Sequence, residues 1–339
     1  MVMQLRFEEI KSITQGAVYI TEEDERITFH RFSKEEEILY STTQFRDKVY
    51  STAGVQLEFL TDADSLYLEV ETSPATSRTY FSVDVFVDGA VRGCIRNFDE
   101  NAVPSDYTGI SFPLGRFLED ISLGNGEKRV RIVFPWSVKA QLCELRLGNA
   151  TYVTPYKKRK TIFMYGDSIT NGYDALFTSH SYAAKFADSL DAELYNKGIG
   201  GEVFFPELAR CKKPFSPDYI TVAYGTNDWG KEEKEDFIQR CEAFFAALAK
   251  NYPDTEIVAI TPIWRRNYLD YRVFGDFFDV ERTICRVCAQ YPNIKTIRGW
   301  ELVPHDELYY ADGRVHPNDK GFEQYYKNLK EKIDTERVF

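Results

Sequence analysis

The sequence predicts an α/β chain in two parts, an all-β region followed by a domain built on a parallel sheet. Three observations carry this. Short segments of alternating apolar and polar residues recur up to about Gly148. After residue 160, apolar runs of strand length alternate with helical patterns. The length, 339 residues, makes two domains the natural expectation.

In the first part, residues 66–71 and 82–88 alternate in polarity, and the second of these ends in Asp88-Gly89, a hairpin signal. Residues 129–134 and 142–147 continue the pattern. Short alternating strands with no long helical period imply an antiparallel β-sandwich or jelly roll over residues 1–150. Residues 151–160 contain Pro155 and the basic run Lys157-Lys158-Arg159-Lys160 and read as a linker with a solvated edge.

In the second part, residues 161–339, candidate strands are 161–165, 193–196, 219–224, 256–261 and 294–298. Helical patterns lie near 181–190, 232–251, 273–290 and 319–332. Apolar residues at spacings of three and four between Phe237 and Leu248 illustrate the period. Strand and helix in alternation imply a parallel sheet with helices on both faces.

Composition narrows the function. Lys and Arg number 42 and Asp and Glu 53, for a net charge of −11. An acidic chain without a basic block is a poor match for nucleic acid or an anionic membrane. It suits a neutral small-molecule or carbohydrate substrate without demanding one, and a homo-oligomer is compatible with it. Aromatic residues make up 15% of the chain and read first as core filling, with a sugar-stacking surface as the alternative. The amino terminus lacks an unbroken apolar stretch and no segment reaches membrane-spanning length, so the expected location is the cytoplasm unless a leader has been removed. The six cysteines are scattered. Cys285 and Cys288 have metal or redox spacing but no second pair, and read as two thiols on one buried helix face.

Four blocks in the second part carry chemistry. Gly166-Asp167-Ser168 follows an apolar strand and precedes a helix, which leaves the serine at the carboxyl end of the sheet. Asn196 to Gly201, ending in Gly200-Gly201, follows the next strand. Gly225-Thr226-Asn227-Asp228 follows the third. Asp312 to Asn318, containing His316, precedes the last helix. All four can converge on one rim. Serine needs a base to take its proton, histidine suits that role, and a carboxylate beside the ring fixes its tautomer. An oxyanion then needs donors: the backbone N–H of Ser168, a backbone N–H at Gly201, where no side chain obstructs, and the amide of Asn227. Each block alone has a plainer reading as a turn, and His305 is the rival to His316; their joint order favours chemistry.

On these blocks residues 160–332 resemble the SGNH/GDSL hydrolase family. The resemblance implies Ser168 as nucleophile, Gly201 and Asn227 as oxyanion donors, His316 as base, a flavodoxin-like three-layer α/β/α domain, and no cofactor or metal. The amino-terminal jelly roll is similar in architecture to that of two-domain carbohydrate esterases, which remove acetyl groups from plant polysaccharides. The family usually places its aspartate three residues before the histidine; here Gly313 holds that slot and Asp312 lies four before. The expected triad uses Asp312 through a longer turn; the alternative is a backbone carbonyl that holds the ring in a Ser-His dyad. Asp167, Asn171, Trp229, Trp264 and Arg265 are further candidates at the rim, the last three as a pocket wall for a sugar or acyl group. The expected activity is hydrolysis of short acyl esters, O-acetyl on a carbohydrate above all. The alternatives are an acyltransferase using the same residues, or a carbohydrate-binding protein with an inert hydrolase domain.

Overall fold

In the computed structural model, which describes residues 2–104, 106–211, 215–336 and 339, the alternating segments become antiparallel strands. Leu66, Leu68 and Val70 of the strand Ser65–Pro74 are fully buried while their neighbours are not. That strand pairs along its length with Val138–Gly148. Ser82–Val87 and Ala90–Arg96 form the hairpin that Asp88-Gly89 predicts, and both turn residues take positive φ. The result, among the described residues, is two six-stranded antiparallel sheets enclosing one apolar core, a jelly-roll-like arrangement.

The sequence pattern missed two helices in this region, Phe7–Ile13 and Lys34–Ser41. The second is set by a capping box, with Ser33 and Glu36 satisfying each other's backbone N–H groups. Within 151–160, Val153–Pro155 adds a strand to the second sheet. The basic run is exposed as expected except at Lys158, which sits between Asp188 and Glu58; Arg159 bonds Asp191 and Lys160 bonds Asp218 at the surface.

The carboxy-terminal sheet has five parallel strands: Lys160–Gly166, Ala192–Gly198, Tyr219–Ala223, Glu256–Ile260 and Ile294–Ile297. Their spatial order is second, first, third, fourth, fifth, as in flavodoxin-like sheets. Apolar clusters on the two faces pack it against helices, including Tyr182–Ser189, Lys234–Asn251, Phe278–Cys288 and Asp319–Glu336. The helix expected from 273 begins only at Phe278, because Gly275 takes φ +101° and Asp276 precedes the helical residues. On that helix Cys288 is buried and Cys285 only half-buried. Among the described residues no helix is long and apolar enough to cross a membrane.

The two regions meet across a polar seam. The Arg31 guanidinium, fully buried, donates to the carbonyls of Ser51, Lys48, Asn196 and Gly198 and to the Ser51 hydroxyl. It thereby ties the end of an amino-terminal strand to the end of the strand that carries the Gly200-Gly201 loop. Trp136 packs on Tyr173 and donates its ring N–H to the Ala175 carbonyl. Arg31→Met takes this donor from four carbonyls, of which that of Lys48 keeps the Ser51 N–H, and each buried group left orphaned costs about 1–3 kcal/mol. Urea unfolding of the variant is expected to show a loss of roughly 3 kcal/mol or more; a loss below about 1 kcal/mol contradicts this account of the seam.

Candidate active site

The Gly-Asp-Ser block ends the first parallel strand and opens a single helical turn, Ser168–Asn171. The Asp167 carboxylate caps this turn by accepting from the Ile169 N–H at 2.9 Å. Ser168 is left with its hydroxyl 2.8 Å from His316 Nε2. The Ser168 side chain is nearly buried and the His316 ring is 16% exposed at the floor of an open cleft.

His316 Nδ1 faces two carboxylates, Asp312 Oδ2 at 3.0 Å and Asp174 Oδ2 at 3.2 Å. Both neighbours of Nδ1 are acceptors, so in the neutral ring the network assigns the proton there and leaves Nε2 to accept from Ser168. Asp312 reaches the ring across the extra residue because Gly313 turns the chain at φ +61°. Its other oxygen accepts the backbone N–H groups of Arg314, Val315 and His316. Asp174, which the sequence reading did not single out, is fully buried. Arg78 grips it with two hydrogen bonds of 2.7 and 3.0 Å, and the Tyr80 hydroxyl donates at 2.9 Å. Arg78 and Tyr80 belong to the amino-terminal region. No local pattern marks Asp174; its only signal is a positive φ of 71°, visible only once the chain is folded.

These contacts set the charges. Burial opposes charge on the His316 ring, but the two carboxylates outweigh it and push its pKa up to about 9. Burial likewise raises the carboxylates, yet the imidazole and, for Asp174, Arg78 lower both, Asp312 well below the usual range.

The second and third blocks face the same cleft. Gly201 takes φ +86°, a conformation costly for any side chain. Neither its N–H nor that of Ser168 has a protein acceptor among the described residues. Lys48, from the amino-terminal region, bonds the Gly200 carbonyl, and Lys231 bonds that of Gly201. In a trans peptide C=O and N–H point opposite ways, so the Lys48 bond fixes the direction of the Gly201 N–H. The Asn227 amide donates to the Glu202 carbonyl at 3.0 Å and keeps a second N–H for the cleft it lines. Donors at Ser168, Gly201 and Asn227 are thus placed to receive an oxyanion.

Other candidates fall elsewhere. Of the three proposed wall residues, Arg265 lines the cleft and the two tryptophans do not. Trp229 is fully buried beneath Arg265 and donates to the Gly275 carbonyl; its side chain is large and apolar, and the packed interior takes it. Trp264 stacks on His305, whose Nε2 bonds the Trp300 carbonyl away from Ser168. Asn171 bonds the Trp136 carbonyl in the seam. Tyr173 lines the cleft instead, its ring against His316 at 5.5 Å between centroids. Among the described residues the one trio able to offer metal ligands is Asp174, Asp312 and His316. The hydrogen bonds just described engage all of them.

Residues 164–324 match the GDSL-like lipase/acylhydrolase family. This segment is a GDSL-like lipase/acylhydrolase domain. None of the curated proteins matches the chain. Among solved structures, a salicylyl-acyltransferase from a tetracycline biosynthetic pathway aligns over 96% of this chain and 95% of its own, at 20% identity and TM-score 0.78. An acetyl xylan esterase from the rumen bacterium Butyrivibrio proteoclasticus aligns over 99% and 98%, at 14% identity and TM-score 0.63. A family two carbohydrate esterase from Clostridium thermocellum aligns over 84% and 93%, at 15% identity and TM-score 0.64. At these identities the likeness establishes the shared fold, an amino-terminal β region followed by the GDSL-like domain.

Two titrations follow from the site. By NMR, the His316 ring is expected to titrate near 9, and Asp174→Asn to bring that value down by removing one carboxylate; an unchanged midpoint contradicts the contact. Burial also raises Glu202, held between the Tyr40 and Tyr224 hydroxyls, from 4.5 to about 8. Between those values the folded protein keeps a proton that the unfolded chain has lost, so this group's contribution to stability falls as pH rises through the window. Glu202→Gln is expected to flatten the decline of Tm between about pH 4.5 and 8; an identical slope in both proteins contradicts it.

Proposed function

We propose that this protein is a serine esterase that hydrolyses short-chain acyl esters, in particular O-acetyl groups on a carbohydrate. The observation that carries the reading is the 2.8 Å contact between Ser168 Oγ and a His316 ring whose other nitrogen is held by carboxylates. Ser168 Oγ attacks the acyl carbon while Nε2 takes its proton. The carbonyl oxygen becomes an oxyanion facing the N–H groups of Ser168, Gly201 and Asn227. Collapse of this intermediate breaks the ester bond, and His316 returns the proton to the departing alcohol. Water, deprotonated by the same ring, then releases the acid and restores Ser168. The carbohydrate part rests on the shared two-part fold of the esterases above, and the cleft lining by Lys48 and Ser77 gives the amino-terminal region a place beside the alcohol.

The test uses p-nitrophenyl acetate. The wild-type protein is expected to release nitrophenol and Ser168→Ala to fall to background; equal rates would remove the reading. Asn227→Ala is expected to lose about 10²–10³ in turnover if its amide serves the oxyanion. Acetyl release from acetylated xylo-oligosaccharides then tests the carbohydrate. Adding acceptor sugars measures the share of acyl group passed to an alcohol rather than to water.

A further inference from the structure

The chain carries a net charge of −11, yet the wall of its catalytic cleft is cationic. Lys48, Arg265 and Arg314 all line it. The one carboxylate in the same wall, Asp312, is committed to His316 and to three backbone N–H groups.

Arg265 is the most informative of the three. It is 7% exposed, and no carboxylate lies within ion-pair distance of it among the described residues. Its Nε donates to the Asn267 side chain at 2.8 Å and its Nη1 to the Thr226 carbonyl at 2.8 Å. These bonds, with the Trp229 ring 5.0 Å beneath the guanidinium, fix its plane. The remaining nitrogen, Nη2, has no protein acceptor among the described residues. Burial, with repulsion from Arg314 and Arg272, outweighs the attraction of Asp167 and Asp270 and lowers the pKa to about 10, so the group stays charged at neutral pH. Arg314 is exposed at the cleft and makes no ion pair among the described residues, whereas Arg272 is matched by Asp270. Nη2 is open to the cleft, so an anion seated there accepts from it and offsets the repulsion between the two guanidinium groups.

We propose that Arg265 and Arg314 bind an anionic group, a carboxylate in the first instance, carried by the ester substrate. The inference rests on the esterase reading above and deepens it: the substrate class is an acidic ester, such as an acetylated acidic sugar or aromatic acid, or an ester of a dicarboxylic acid. Planar guanidinium donors suit the paired oxygens of a carboxylate. The site also offsets the long-range repulsion that an acidic protein exerts on an anion.

Two matched pairs of esters test it. Mono-(4-nitrophenyl) succinate and its methyl ester place the charge on the acyl side. The 4-acetoxybenzoate anion and its methyl ester place it on the alcohol side. In one pair the charged member is expected to have the higher kcat/KM, by roughly tenfold or more. Arg265→Gln and Arg314→Gln are expected to erase most of that ratio, and Arg265→Lys to retain part of it. Arg314 is exposed, so its variant keeps the test open should Arg265→Gln fold poorly. Calorimetric binding of the same four compounds to Ser168→Ala reads the preference without turnover. Charge-selective binding in the absence of any wild-type hydrolysis would sink the esterase reading and keep the anion site. Equal kcat/KM and equal affinity within both pairs, or a ratio that survives intact in the glutamine variants, overturns the anion site itself.

Discussion

The position of one imidazole depends on two carboxylates, and each of these depends on a hold of its own. Asp312 is kept ionised by three backbone N–H groups from the turn that also carries His316. Asp174 is fully buried, and a bare carboxylate there would be too costly to keep charged. Arg78 and Tyr80 make it affordable, and both come from the sandwich. The ring of His316 therefore answers to both halves of the molecule. The same dependence recurs on the other side of the cleft. Lys48 holds the Gly200 carbonyl, and Arg31 holds the strand end before it. The amino-terminal region thus helps to orient both the His316 ring and the Gly200-Gly201 loop. Side chains locked by packing and hydrogen bonds in this way keep a site in its reactive geometry.

Much of this was legible in the sequence, for physical reasons. Parallel strands buried on both faces read as unbroken apolar runs, so the five candidate strands lie within a residue or two of those observed. Long amphipathic helices such as Lys234–Asn251 carry a clear period. Ser168, Asn227 and His316 stand at strand ends or before a helix, where a sheet of this type gathers its loops. Asp174 and Arg78 were not legible because their meaning lies in a contact across 96 residues of chain, and neither sits in a local pattern. The helix Lys34–Ser41 escaped because its stability comes from caps and tertiary contact rather than from a long apolar stripe. The tryptophans misled for a different reason. A large aromatic near a rim can face the cleft or support it, and only the fold shows that Trp229 lies under Arg265.

The cleft therefore combines two electrostatic arrangements of opposite sense. Around His316 negative charge is concentrated and fully matched, which raises the ring's affinity for a proton. Toward Arg265 and Arg314 positive charge is left unmatched. The first arrangement suits the proton transfers of the proposed acyl chemistry, and the second the proposed binding of an anion. The groups around His316 and the Arg265 guanidinium are buried or half-buried, where salt and solvent weaken them least, whereas Arg314 is exposed.

The central claim is that Ser168 is a nucleophile made reactive by a histidine that the sandwich helps to hold. The most direct measurement is the rate of inactivation by a 4-nitrophenyl phosphonate, with the modified residue mapped by mass spectrometry. The account predicts one phosphonyl group per chain, on Ser168, and inactivation slowed by roughly tenfold or more in Arg78→Met, a residue outside the GDSL-like domain. Modification at another residue, or an Arg78→Met protein that reacts as fast as the wild type, would contradict it.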